Sequence, residues 1–108
     1  MVNGKLLIYT AQTTDRERRL RTIKSAASKI AEPLKLQIQV VSTTRNLPTY
    51  VYYKKEGDSE KIPVYCDSEN KLREKEIHEH MKSILFTLSF HPKHSCLLMV
   101  RKELLSAA

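Results

Sequence analysis

Between Leu20 and Val40 the apolar period of the chain switches from helical to strictly alternating, and no other feature narrows the choice of fold as much. Leu20, Ile23, Ala27, Ile30 and Leu34 recur at spacings of three and four, which draws one stripe along a helix. Leu36, Ile38 and Val40 then alternate with Gln37 and Gln39, placing three apolar side chains on one face of a half-exposed strand. Pro33 stands at the junction, and the residue before a proline is pushed out of the helical region, so the helix is expected to stop there. Upstream, Lys5 to Thr10 is an apolar run without alternation, the pattern of a central strand covered on both faces. Thr14 and Glu17 have the spacing of a capping box that would start the helix. The first part of the chain therefore predicts β-α-β.

Ser42 to Pro48 is polar and turn-like, and Thr49 to Tyr53 has the aromatic and β-branched content of a strand. Glu56 to Ser59 supplies a turn before Lys61 to Cys66, where Pro63 cannot donate to a ladder and predicts an edge strand or a bulge. Ile77, Met81, Ile84, Leu85 and Leu88 share one helical face, which predicts a second helix from about Asn70 to Leu88. Residues 84–90 also alternate at period two, so a strand ending in a hairpin loop at His91 to His94 is the competing reading. Cys96 to Val100 reads as a buried strand. The order β-α-β-β-β-α-β, in one domain spanning residues 1–108, predicts an α+β fold: a ferredoxin-like split β-α-β sandwich with an extra hairpin strand.

A second architecture rests on a resemblance. Asn46 to Gly57 resembles the proline-led hairpin strand of thioredoxin-fold proteins, and Lys5 to Thr10 with its following helix is similar to their first β-α step. The loop before that helix, Ala11 to Thr14, holds no cysteine, so the resemblance implies a thioredoxin-like fold without a redox motif.

Composition excludes more chemistry than it suggests. Gly4 and Gly57 are the only glycines, whereas phosphate-cradling loops need two or three close together so that backbone N–H groups can reach the anion. No Gly-x-Ser-x-Gly elbow or His-Glu-x-x-His helix is present, and no residue is singled out as catalytic. Cys66 and Cys96 stand 30 positions apart outside any Cys-x-x-Cys pair and are expected to be free, buried thiols. His78 and His80 would point to opposite flanks of a helix, and His91 and His94 lie at a turn. Solvent-exposed histidines are expected, with no metal and no cofactor. The apolar runs are too short to span a membrane and no signal sequence precedes them, which points to a cytoplasmic protein.

Charge supplies the positive expectation. The net charge is +7, but residues 1–55 hold eleven Lys and Arg against three acids, while residues 56–108 hold eight against nine. Arg16, Arg18, Arg19 and Arg21 crowd the first turns of the first helix, where the helix dipole disfavours cations by about 0.3–1 kcal/mol each. Helical rotation puts Arg18, Arg21 and Lys29 on the outward face with Arg19 and Lys24 flanking it, a basic surface suited to phosphates, so a nucleic-acid-binding module for RNA or DNA is the expected function. Tyr50 and Tyr52 on one strand face and Tyr53 on the other add a base-stacking surface or ordinary packing. Phe86 and Phe90 fall off the apolar stripe of the second helix. They suggest the alternative, a protein-interaction or regulatory homodimer formed through Phe86, Phe90 and a sheet edge, whose arginines meet an acidic protein partner.

Overall fold

Leu6 and Ile8 are fully buried and Tyr9 is only half-buried, so the two faces of the first strand are covered unequally. The structure, a computed structural model, describes residues 3–11, 16–43, 48–67 and 72–90. The elements are β1 (Gly4–Ala11), α1 (Arg16–Leu34), β2 (Leu36–Thr43), β3 (Thr49–Lys55), β4 (Ile62–Asp67) and α2 (Glu74–Leu88). They make an α+β fold with one four-stranded mixed sheet ordered β2-β1-β3-β4. β1 runs parallel to β2 and antiparallel to β3, and β3 is antiparallel to β4. Among the described residues no strand lies between β1 and β2, where a split β-α-β unit would insert one; β3 adds instead on the far side of β1. The expected strand at Cys96 to Val100 and the capping residue Thr14 lie outside the described residues.

Both helices pack on the same sheet face and against each other. Ile23, Ala27, Ile30 and Leu34 of α1 meet Leu6, Ile8, Val51 and Tyr53 of the sheet, with Ile77, Met81 and Leu85 of α2 closing the core. The helical stripe read from the sequence is thus the buried one, with Ile23, Ile30 and Leu34 each contributing about 1.5–3 kcal/mol. On the other side of β1, Leu7 and Ala11 are buried, as expected of a covered strand, whereas Lys5 and Tyr9 are half-buried, and neither α1 nor α2 lies over them.

Pro33 does not end α1, which runs on to Leu34. Burying Leu34 completely outweighs the one hydrogen bond that a proline in the last turn forfeits, about 0.5–1.5 kcal/mol. The stop comes at Lys35, which adopts a left-handed φ of 56°. Asn3 then satisfies the exposed helix end: its Nδ2 donates to the Leu34 carbonyl at 2.9 Å and its backbone N–H to that of Lys35 at 2.8 Å.

Pro63 sits on an edge strand, as its missing donor predicts. The pairing of β3 with β4 slips there, with Val51 opposite Tyr65 and Tyr52 opposite Pro63, so Val64 is the extra residue of a bulge. Because of this bulge Val64 and Tyr65 both turn into the core. Residues 84–88 belong to α2, which begins at Glu74, four residues later than expected, and whose Glu76 carboxylate accepts from the Arg73 backbone N–H at 3.3 Å.

Candidate nucleic-acid interface

Among the described residues one sheet face carries no helix, and strand parity sets which side chains stand on this open side. Because Leu6 and Ile8 point to the helices, Lys5, Leu7 and Tyr9 must point away, and the register aligns Lys5 with Lys54, Leu7 with Tyr52 and Tyr9 with Tyr50. From β2 the same face receives Gln37, Gln39, Val41 and Thr43, and from β4 it receives Pro63 and Cys66. None of these positions is acidic, while Lys5 and Lys54 are cations and Lys61 reaches over from the start of β4.

Three tyrosines form the centre. Tyr9 meets Tyr52 edge-on, with ring centroids 5.4 Å apart, and Tyr52 lies nearly parallel to Tyr50 at 6.1 Å. The Lys61 Nζ donates to the Tyr9 hydroxyl at 2.6 Å and stands 5.1 Å from the ring centroid, so its charge is held beside the aromatic surface. Tyr9, Thr43, Tyr50, Tyr52 and Lys61 line an open concavity of about 490 Å³. All three tyrosines are half-buried, whereas Tyr53, one position further along β3, is completely enclosed in the core. Cys66 lies opposite Tyr50 and is exposed, contrary to the expectation of a buried thiol, because the β4 bulge rotates it outward. Hydrogen bonding with Cys66 first, and electrostatic interaction with it second, hold the Tyr50 hydroxyl above the ordinary phenol value.

The basic residues of α1 occupy the opposite side of the molecule. Arg18, Arg21 and Lys24 are exposed on the outward helix face. Lys29 is exposed too, but its Nζ lies 3.4 Å from a carboxylate oxygen of Glu74 on α2, which Ser25 also contacts. Arg16 opens the helix, and its side chain lies outside the described residues. Arg19 is turned inward. Its Nε and Nη2 donate to the two oxygens of Asp67 at 2.9 and 2.5 Å, and its Nη1 donates to the Leu72 carbonyl at 2.8 Å. The hydrogen bonds to Asp67 raise the Arg19 pKa, with burial opposing them. Arg19 thus ties α1 to the end of β4 and to the approach to α2.

The remaining candidates separate from both surfaces. Phe86 is half-buried and Phe90 is 59% exposed beyond the end of α2, their rings edge-to-face at 5.2 Å. His78 is buried, not exposed as expected, because it falls on the α2 face beside Ile77 and Met81; burial lowers its pKa. His80 is exposed and meets the Tyr65 ring at 5.8 Å. Among the described residues no group of three His, Cys, Asp or Glu side chains could hold a metal ion; His91, His94 and Cys96 lie outside them. No helix among the described residues is long and apolar enough to cross a membrane.

Tyr9 is the residue that sequence reasoning missed, since an unbroken apolar run hides which of its members faces outward. Its parity against Leu6 and Ile8 was the available signal. The chain matches no protein-family model, and no curated protein or solved structure shows significant similarity to it.

Proposed function

We propose that this protein is a non-catalytic module that binds single-stranded nucleic acid on its open sheet face. The observation that carries this reading is the cluster of Tyr9, Tyr50 and Tyr52 around an open concavity, with Lys5, Lys54 and Lys61 on the same side and no acid among the strand positions. Aromatic rings on an open sheet accept unpaired bases by stacking, at about 1–3 kcal/mol per base, and the lysines supply the phosphate attraction. A duplex hides its base faces and offers this surface only its backbone. Arg18, Arg21 and Lys24 form a second, separate phosphate-contacting surface on α1, with Arg19 committed to Asp67.

The test is an anisotropy titration of labelled single-stranded and duplex oligonucleotides across a range of salt. Single strands are expected to bind more tightly, with log affinity falling linearly in log salt. Tyr52→Ala should weaken single-strand binding by roughly tenfold with little change in salt slope, whereas Arg18→Ala should lower the slope. No binding of either form at about 50 mM salt would remove the reading.

The architecture is inferred along with it. Direct pairing of β1 with β2, and of β1 with β3, supports the thioredoxin-like alternative over the ferredoxin-like split unit. A second functional reading, a protein-interaction or regulatory homodimer, is favoured by the exposure of Phe90 beside Phe86. It predicts that Phe90→Ser abolishes self-association in sedimentation, while the arginines of α1 contact an acidic protein.

A further inference from the structure

The two edges of the sheet are built differently. β4 carries Pro63, a bulge at Val64 and charges at Lys61 and Asp67, all of which discourage another strand from pairing with it. β2, at the opposite edge, has none of these devices. Its eight residues, Leu36 to Thr43, contain no charge, no proline, no glycine and no bulge, and among the described residues only β1 pairs with it. An uncharged, β-branched edge of this length is a template for strand addition.

Two observations identify the partner strand. The chain carries +7, so two copies repel each other over most of their surface, but no charge lies between Lys35 and Arg45 and the β2 edges can approach. The helix-side face of β2 also loses its cover along its length: Leu36 is 7% exposed, Ile38 is half-buried and Val40 is 37% exposed. Antiparallel pairing about a two-fold axis at Gln39 places Ile38 of one copy beside Val40 of the other, twice, which covers that exposed valine. On the open face the same register sets Gln39 against Gln39 and Gln37 against Val41.

From these relations we infer that the protein forms a homodimer by antiparallel β2–β2 pairing, giving one continuous eight-stranded sheet. The two-fold axis stands perpendicular to the sheet, so both tyrosine concavities open on the same side. The interface lies at the far edge from Phe86 and Phe90, and the concavity borders it where Thr43 ends β2.

The test is sedimentation velocity of the full chain without nucleic acid, at concentrations up to about 100 μM, above the Kd of a weak standard interface. Wild type is expected to be dimeric, and Phe90→Ser to remain so. Val40→Lys, which sets two lysines into the seam at an already exposed position, should weaken the dimer at least tenfold with an unchanged circular dichroism spectrum. A monomeric wild type, or a Val40→Lys protein that dimerises as well as wild type, overturns the inference. Gln39→Cys in a Cys66→Ser, Cys96→Ser background decides the register independently of whether Val40→Lys folds. An oxidised covalent dimer supports the axis at Gln39, and a dimer that does not cross-link contradicts it.

Discussion

The Arg19 guanidinium and the Asp67 carboxylate form a two-point hydrogen-bonded pair that joins α1 to the end of β4, with the Asp67 side chain 1% exposed and that of Arg19 18%. Tyr65 completes the group by donating its hydroxyl proton to the same carboxylate at 2.6 Å. The carboxylate is thereby removed from water while Arg19 and Tyr65 both donate to it, and removal of the arginine leaves an uncompensated buried charge.

Arg19→Leu should therefore cost about 3–5 kcal/mol of stability, measured by urea unfolding. The double variant Arg19→Met, Asp67→Leu removes both charges and should recover most of that loss, since apolar replacement of a buried pair is often close to neutral. A single-variant loss below about 1 kcal/mol would show instead that water reaches the pair.

The pH dependence of stability has two limbs of opposite sign. Burial lowers the His78 pKa, so the unfolded chain takes up a proton first, and stability present above the ordinary histidine value of about 6.5 is lost as pH falls through it. Burial first, and the hydrogen bond to Asp67 second, raise the Tyr65 hydroxyl pKa; the unfolded chain then releases its proton first, and stability is lost as pH rises above about 10. Thermal melts of His78→Gln should lose the slope between about pH 7 and 5, and those of Tyr65→Phe the slope above pH 10. A His78→Gln profile parallel to wild type would mean that the native imidazole titrates like a solvated one.

The two glycines answer to different constraints. A Cβ on Gly4 would collide with the Lys54 carbonyl oxygen, a backbone atom of the neighbouring strand, and the φ of +156° disfavours any side chain. Gly57 has a φ of +81° in the turn after β3, but a Cβ there meets nothing within 4 Å. Gly57→Ala should cost about 1–2 kcal/mol from backbone strain alone. Gly4→Ala should cost more, because the β1–β3 ladder has to move apart. Chemical denaturation of both variants checks the order, and equal losses would mean that the sheet yields to the added methyl group.

Local periodicity made most of the fold legible, and long-range pairing escaped it. The stripe from Leu20 to Leu34 and the alternation from Leu36 to Val40 identified α1 and β2, and Pro63 marked β4 as irregular and peripheral. Periodicity could not tell that β3 would add beyond β1 instead of between β1 and β2, since strand order is decided by which edges meet after the helix has crossed. Arg19 sits at the flank of the basic face in sequence, and no local spacing points to a carboxylate 48 positions away. Cys66 was expected to be buried from its residue type alone, and the extra residue at Val64 shifts every later side chain of β4 to the other face. Tyr50, Tyr52 and Tyr53 were divided correctly between the faces because β3 is regular where they lie.

The five tyrosines of the chain test the central claim against one another. Tyr9, Tyr50 and Tyr52 stand on the open face, whereas Tyr53 and Tyr65 are 0% and 5% exposed in the core on the other side of the sheet. Ring proton shifts of all five, followed by NMR during titration with a short single-stranded oligonucleotide, should move upfield for the first three as bases stack on them and stay in place for the other two. Saturable binding that leaves Tyr9, Tyr50 and Tyr52 unshifted would contradict the account and move the nucleic-acid contact to Arg18, Arg21 and Lys24 of α1.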